Sequence, residues 1–159
     1  MPGKFKWSDR LGVCDTQVGK GLFARQRFRK GQLVGEVTGK IIVGAEYDSR
    51  HCIELSRTHV LEPGVPFRYV NHKCQPNCEL FSWKPDKHGD ESDRVYVQAI
   101  CTIQAGEELT IDYAWEAEAA IPCRCAAENC RGWIVAIEDL HRVKLRFGRS
   151  RQGRQRKRA

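Results

Sequence analysis

The chain has 159 residues, 41% hydrophobic and 30% charged, which is enough for one domain with a sizeable core. Its 14 glycines and 6 prolines exclude a collagen-like or low-complexity chain. No apolar run exceeds five residues, whereas a membrane-spanning helix needs about 20, and the charged first ten residues lack the apolar block of a signal peptide. We therefore expect an intracellular protein, nuclear or cytoplasmic, that is not secreted and has no membrane contact.

The first motif along the chain is the glycine-rich stretch at 19–24, Gly-Lys-Gly-Leu-Phe-Ala. It fits a degenerate G-x-G-x-x-A dinucleotide fingerprint, which must open the crossover helix of a β-α-β unit. Gly31, Gly35 and Gly39 follow and leave no room for that helix, so the dinucleotide-binding interpretation fails. A tight turn against another ligand and a plain hairpin turn both stay open.

The rest of the chain consists mainly of short β-branched and aromatic runs separated by turn signals. Candidate strands lie at 34–38, 40–43, 52–55, 59–61, 67–70, 79–83, 94–100 and 109–112. Residues 84–93 are typical of an exposed hairpin loop, and only 133–143 has helical spacing. This pattern predicts a mostly β domain built from several small sheets.

Eight cysteines need an explanation, and their spacing indicates a metal site. Cys123, Cys125 and Cys130 form a C-x-C-x4-C cluster, whose three thiolates can take three corners of a zinc tetrahedron. The fourth ligand must come from elsewhere, with Cys74 and Cys78 as the candidates. In a reducing compartment, clustered cysteines are more often metal ligands than disulfides, so we predict a structural zinc ion.

The net charge of +7 is concentrated at the end of the sequence. Nine of the 27 basic residues lie in 142–159, which has no acidic residue. Residues 1–141 contain the remaining 18 basic residues and all 20 acidic residues, so the net charge of this part is −2. Such a tract is typical of an arm that contacts nucleic acid, and equally of a solvated tail. The slightly acidic remainder suits a basic partner better than a phosphate backbone.

Placed in order, four segments resemble a known family. They are Gly19-Lys-Gly-Leu-Phe-Ala, Arg68-Tyr-Val-Asn-His-Lys-Cys-Gln-Pro-Asn-Cys, Gly106-Glu-Glu-Leu-Thr-Ile-Asp-Tyr and the cysteine loop that ends at Gly132. Together they are similar to a SET domain with its post-SET zinc loop, a family of protein-lysine methyltransferases that use S-adenosylmethionine. The resemblance implies a SET domain at 1–116, a post-SET zinc segment at 117–138 and a basic tail at 139–159. It also implies several small β-sheets and a pseudoknot in which the second and third segments cross.

The resemblance assigns a role to each matching residue. Tyr113 is expected to be the catalytic tyrosine, and zinc to be held by Cys74, Cys123, Cys125 and Cys130, with Cys78 as a small core residue. Trp133 is expected to form a wall for the adenine, with core packing as its alternative role. Contacts with S-adenosylmethionine are expected from Lys20, Gly21, Leu22, Tyr69, Asn71, His72, Tyr113 and Trp133.

Two functions compete on this basis. The first is lysine N-methyltransferase activity on a basic protein or peptide, a histone or histone-like protein being a candidate substrate. The alternative is a catalytically weak SET-like module that docks on nucleic acid or chromatin through its basic tail. The presence of Asn71, His72 and Tyr113 together favours the enzyme, because a scaffold has no need of all three.

Overall fold

A computed structural model describes residues 7–44, 49–83 and 94–155. The chain divides into two compact units: one takes in the described residues of Met1–Asn71 and Pro76–Ile111, the other His72–Gln75 and Asp112–Ala159. We call them the larger and the smaller unit. Among the described residues, no helix is both long and apolar enough to cross a lipid bilayer.

Short strands make up most of the regular structure, as the sequence predicts. In chain order they are β1 (Leu11–Thr16), β2 (Gly19–Ala24), β3 (Leu33–Glu36), β4 (Gly39–Val43), β5 (Ile53–Glu54), β6 (His59–Pro63), β7 (Asn71–His72), β8 (Cys78–Trp83), β9 (Arg94–Ala99), β10 (Thr110–Ile111), β11 (Ile121–Pro122) and β12 (Trp133–Ile134). The helices are α1 (Trp7–Arg10) and α2 (Leu140–Gln155), with 3-10 turns at Phe67–Tyr69, Ala117–Ala119 and Ile137–Asp139. The strands form five small sheets with the orders β1-β2, β3-β9-β8, β4-β6-β5, β10-β7 and β11-β12.

The core of the larger unit comes from alternating apolar residues on its strands. β9 illustrates the pattern, because Val95, Val97 and Ala99 are buried while the residues between them are not. A period of two is what a strand with one face in the core requires. Phe28 and Leu22 are also fully buried in this unit.

The glycine-rich stretch is the second strand of an antiparallel hairpin, β1-β2, joined by Gln17 and Val18. Gly19 lies just after the turn with φ +116°, a backbone conformation that residues with a side chain rarely adopt. The antiparallel pairing of β1 with β2 confirms that this stretch lies at a hairpin and not in a β-α-β dinucleotide-binding unit.

The smaller unit has its own small core. Ala117, Val135 and Val143 are buried, and Ala120, Trp133 and Leu140 pack against them. Val143 belongs to α2, so the basic C-terminal segment begins with a helix whose first turns are packed into this unit. Val143 is therefore buried, while Arg142, Lys144 and Arg146 are exposed, so an arm that contacts nucleic acid and a solvated segment both stay open for the basic residues.

Two predicted elements have different structures. In the segment 67–70, predicted as a strand, Phe67–Tyr69 form a 3-10 turn, because Phe67 is buried against Gly35, where a Cβ atom would lie 2.7 Å from the ring. This contact overrides the β propensity of the aromatic residues. The segment 133–143 is helical only from Leu140, since Trp133–Ile134 pairs with Ile121–Pro122 as a strand. The predicted hairpin loop at 84–93 lies outside the described residues.

Candidate functional site

In the larger unit, three of the residues expected to contact the methyl donor, Lys20, Gly21 and Asn71, lie on or beside one set of hydrogen bonds. The Asn71 side-chain amide donates to the backbone carbonyl of Lys20 at 3.1 Å and to Glu108 Oε1 at 2.8 Å. A Cβ atom on Gly21 would lie 2.5 Å from the same Glu108 oxygen and 2.7 Å from Thr16 Cγ2, so a side chain there would have to displace these groups. Glycine at this position leaves the contact between Asn71 and Glu108 undisturbed.

Leu22 and Tyr69 have different surroundings. The side chain of Leu22 is fully buried in the core, and its carbonyl accepts a 2.7 Å hydrogen bond from the backbone N–H of Leu109. Any contact of Leu22 with a ligand would therefore involve its backbone. Tyr69 is half-buried, and the guanidinium of Arg68 lies 5.9 Å from the centre of its ring.

Asn77 joins the second and third segments of the family resemblance, which no sequence argument assigned to it. Its amide donates to the Glu108 carbonyl at 2.8 Å, and its carbonyl oxygen accepts from the Thr110 backbone N–H at 2.9 Å. Together with the pairing of β7 and β10, these bonds bring the two segments side by side. The only indication in the sequence was that Asn77 lies between two cysteines of the motif. From sequence alone, an asparagine whose side chain is half-buried and hydrogen-bonded looks the same as an asparagine in an exposed turn.

The smaller unit collects the four cysteines predicted to bind zinc. Cys74 Sγ lies 3.8 Å from Cys123 Sγ and 3.9 Å from Cys130 Sγ, and Cys130 and Cys125 also interact with Cys123. Sulfur atoms bound at about 2.3 Å to a tetrahedral zinc ion are roughly 3.8 Å apart. The spacing fits zinc bound by four thiolates. Cys78, the other candidate, is buried in the larger unit with 1% exposure, as expected for a core residue.

The backbone around the cluster is arranged to stabilise thiolates. The N–H groups of Cys74, Arg131 and Gly132 each point at a cysteine sulfur, at 3.4 Å. Burial raises the pKa values of the Cys74 and Cys123 thiols, whereas for Cys125 hydrogen bonds from the backbone and from neighbouring thiols outweigh burial and lower the pKa to about 6. Hydrogen bonds to sulfur favour the charged form that a metal requires. The donor set therefore suits a closed, structural metal site.

His72 also lies at the cluster, beside the four cysteines predicted to bind zinc. Its Nε2 is 3.4 Å from Cys74 Sγ, and one ligand atom each from His72, Cys74, Cys123 and Cys125 lie within 4.8 Å of one another. However, His72 Nδ1 accepts a hydrogen bond from the Tyr113 backbone N–H at 3.1 Å, so the proton of the neutral ring is on Nε2. Nε2–H then donates to the Cys74 sulfur. Burial lowers the pKa of His72, which favours this neutral form.

Tyr113 is held from both sides by its neighbours in the smaller unit. Its ring lies 5.5 Å from the His72 ring and 5.4 Å from that of Trp115, measured between centroids. Asp112, the preceding residue, receives two hydrogen bonds from the Arg131 guanidinium, at 2.7 and 2.8 Å. The backbone at Tyr113 is thereby fixed by His72 and by the residue that follows Cys130.

Trp133 packs against α2 in this structure. Its ring stacks on that of Phe147, with centroids 4.5 Å apart and an angle of 21° between the planes. Trp133 also contacts the buried cluster of Ala117, Val135 and Val143. Core packing, the alternative role weighed for Trp133, is thus observed, and a contact with adenine stays a prediction.

The predicted site residues therefore form two groups. Lys20, Gly21, Leu22, Tyr69 and Asn71 belong to the larger unit; His72, Cys74, Tyr113, Cys123, Cys125, Cys130 and Trp133 belong to the smaller one. Within the smaller unit, His72 connects the cysteine cluster to Tyr113. Glu108 and Arg131, which have partners in these groups, were not predicted as site residues from the sequence.

Comparison with known proteins identifies the family. The SET-domain family model matches residues 19–114, more than half of the chain, and the chain therefore belongs to the SET-domain family. Human histone-lysine N-methyltransferase 2D is 31% identical over 81% of this chain, and the human histone-lysine N-methyltransferase specific for H3 lysine 36 is 30% identical over 88%. The Caenorhabditis elegans histone-lysine N-methyltransferase mes-4 is 34% identical over 79%.

A solved structure agrees on the fold. The crystal structure of KRYPTONITE in complex with mCHG DNA and SAH superposes with a TM-score of 0.68, at 23% sequence identity, over 78% of this chain and 28% of that one. The chain spans only 3%, 6% and 17% of the three curated relatives. The expected SET fold of small sheets is confirmed, whereas those relatives' activities concern much longer proteins.

Proposed function

We propose that this chain is a catalytic domain that transfers a methyl group from S-adenosylmethionine to a lysine of a basic protein. The main support is Tyr113, which lies in the matched family region and is fixed between His72 and Asp112. The curated relatives, which are histone-lysine methyltransferases, support a histone or histone-like substrate and with it an intracellular, nuclear location. The same proposal keeps the division into a SET domain at 1–116, a zinc segment at 117–138 and a basic segment from 139.

The chemistry needs little beyond alignment and control of one proton. When bound, S-adenosylmethionine supplies an electrophilic methyl group on a sulfonium. The lysine nitrogen forms a bond to that carbon, the carbon–sulfur bond breaks, and S-adenosylhomocysteine leaves. A free lysine has a pKa of about 10.4, so its neutral form costs about 4.6 kcal/mol at pH 7. Burial in an apolar channel lowers this cost, and the ammonium proton goes to water.

In this proposal, separate groups of residues bind the methyl donor, orient the lysine and hold zinc. Asn71 and the backbone of Lys20 and Gly21 would bind the donor's amino-acid end, and Leu22, Tyr69 and His72 are further proposed contacts of the donor. Trp133 would lie against the adenine. Tyr113 would orient the lysine amine through its hydroxyl, so that proximity and electrostatics lower the barrier. Zinc held by the four cysteines would keep the C-terminal segment folded.

The decisive experiment is incubation with isotope-labelled S-adenosylmethionine and a panel of basic proteins that includes histones, read by mass spectrometry of lysines. We expect Tyr113→Phe to reduce transfer by about 100-fold or more, the usual effect of removing one group that acts on the transition state. Donor affinity, measured by calorimetry, should change by less than about threefold. Tyr96→Phe removes a hydroxyl from a tyrosine that stacks on Phe81 in the larger unit and serves as the control.

Two outcomes would contradict the proposal. Full activity of Tyr113→Phe would remove this hydroxyl from the mechanism. Absence of donor binding to the zinc-loaded wild-type chain would favour the alternative, a SET-like binding module of weak catalytic activity.

A nucleic-acid contact through the basic C-terminal segment is the second candidate function. Lys144 and Arg146 are exposed on α2, while Arg142 pairs with Glu118 and Asp139. Six of the nine basic residues follow Phe147 in the sequence. This concentration of positive charge supports the proposal, because phosphate contacts dominate nonspecific binding to nucleic acids.

A further inference from the structure

Arg131 contacts both the cysteine cluster and the turn that carries Tyr113. Its backbone N–H points at Cys74 Sγ at 3.4 Å. Its guanidinium makes a two-point contact with the Asp112 carboxylate at 2.7 and 2.8 Å, and only 11% of its side chain is exposed. Paired hydrogen bonds between a guanidinium and a carboxylate define an orientation that a single-point contact does not.

Asp112, whose carboxylate is oriented by Arg131, also holds the backbone next to Tyr113. Its Oδ1 accepts a hydrogen bond from the Ala114 N–H at 3.1 Å. Ala114 has φ +46°, in the left-handed region that a residue with a side chain rarely adopts. The turn around Tyr113 therefore adopts a conformation that surrounding contacts must maintain.

The contacts of Arg131 and His72 form a closed ring. From Cys74, one side runs through His72 Nε2 and Nδ1 to the Tyr113 N–H. The other side runs through the Arg131 backbone and guanidinium to Asp112, whose next residue is Tyr113. A ring fixes the position of Tyr113 more tightly than either side alone, because a shift on one side must break a contact on the other.

We propose that Arg131 is a positioning residue, which sets the place of Tyr113 through Asp112 and links it to the metal loop. The kinetic part of this inference rests on the proposed methyl transfer. A lysine at this position would keep the positive charge but lose the two-point contact, since its ammonium is a single point charge.

The test compares Arg131→Lys with Arg124→Lys, a matched change at an exposed arginine of the same loop. The chain has four tyrosines, so ¹⁵N-tyrosine labelling yields a simple amide spectrum in which Tyr113→Phe identifies the Tyr113 signal. In Arg131→Lys we expect the Tyr113 signal to move while those of Tyr69 and Tyr96 stay. Zinc should remain at one ion per chain, and kcat should fall about 10- to 100-fold with donor affinity within about threefold.

A second variant, Asp112→Asn, breaks the same pair without altering the metal loop and should move the same signal. The inference is overturned if the Tyr113 signal stays in place in both variants, or if Arg131→Lys loses its zinc together with its activity, which would indicate a purely structural role. The amide spectrum is recorded without enzymatic turnover, so it tests whether Arg131 positions Tyr113 even if no basic protein is methylated. Failure of the proposed function would appear separately, as a lack of transfer by the wild-type chain.

Discussion

At the scale of single residues, the motif residues were identifiable and their hydrogen-bond partners were not. Tyr113 and the four cysteines are recognisable from spacing and family resemblance. The pairing of Arg131 with Asp112 depends on side-chain directions that sequence spacing does not specify. For Gly21, the sequence suggested close approach of a ligand, whereas the structure shows that Glu108 and Thr16 occupy the space of a side chain.

Asn77 provides a test at this scale. In Asn77→Asp the acceptor for Thr110 remains, but the donor to the Glu108 carbonyl is replaced by a carboxylate oxygen that the carbonyl repels. Leaving a half-buried polar group without its partner costs about 1–3 kcal/mol. We expect the free energy of unfolding, measured in urea, to fall by about that amount.

Asn129→Asp makes the same change at an exposed asparagine and is the control. An equal effect of both substitutions would show that the contacts of Asn77 contribute nothing to stability.

At the scale of elements, the small sheets were predictable because alternating apolar residues and turn signals are local features. The β3-β9-β8 and β4-β6-β5 sheets arise from segments predicted as strands, even though the pairing partners were not deduced. The 3-10 turn at Phe67–Tyr69 was missed because burial of Phe67 against Gly35 decides it. The packing of α2 was not predicted, because one buried residue, Val143, suffices to anchor this helix despite the charge around it.

Removal of the metal is the test at this scale. The cysteine cluster brings residues near Cys74 together with the loop at 123–130, so complete chelation should loosen that loop. A ligand present at 1,000 times its Kd contributes about 4 kcal/mol. For a chain of this size, that loss lowers Tm by roughly 8–16 °C, measured by calorimetry.

Donor affinity should weaken in the same sample. Cys130→Ser should behave like the chelated wild type, whereas Cys14→Ser, at an exposed cysteine outside the cluster, should retain both metal and Tm. An unchanged Tm after verified removal of zinc would contradict a structural metal.

At the scale of the whole molecule, the distribution of charge distinguishes partners. The net charge of +7 arises from 142–159, while the remainder is slightly acidic. Since the side chains of Val143 and Phe147 pack within the smaller unit, deletion from residue 142 would damage the fold as well as remove charge. Deletion of 148–159 retains both residues and removes six basic ones.

We expect this shorter deletion to weaken duplex DNA binding and to flatten its salt dependence. Each lost phosphate contact reduces the slope of log K against log salt by about 0.9, so the slope should fall by up to about five. The measurement is fluorescence anisotropy from low to moderate salt. A full-length variant with the same six residues changed to glutamine separates charge from chain length, and an unaltered slope in both would exclude the segment from DNA contact.

The stacked rings of Trp133 and Phe147 have a practical consequence for following this molecule in solution. Indole fluorescence shifts to longer wavelength when the ring enters water. Undocking of α2 would therefore shift the emission maximum of Trp133 to longer wavelength. Replacing Trp7, Trp83 and Trp115 by phenylalanine would leave a single-tryptophan chain. The fluorescence of Trp133 in that chain would show in real time whether a nucleosome, a peptide or the methyl donor releases α2.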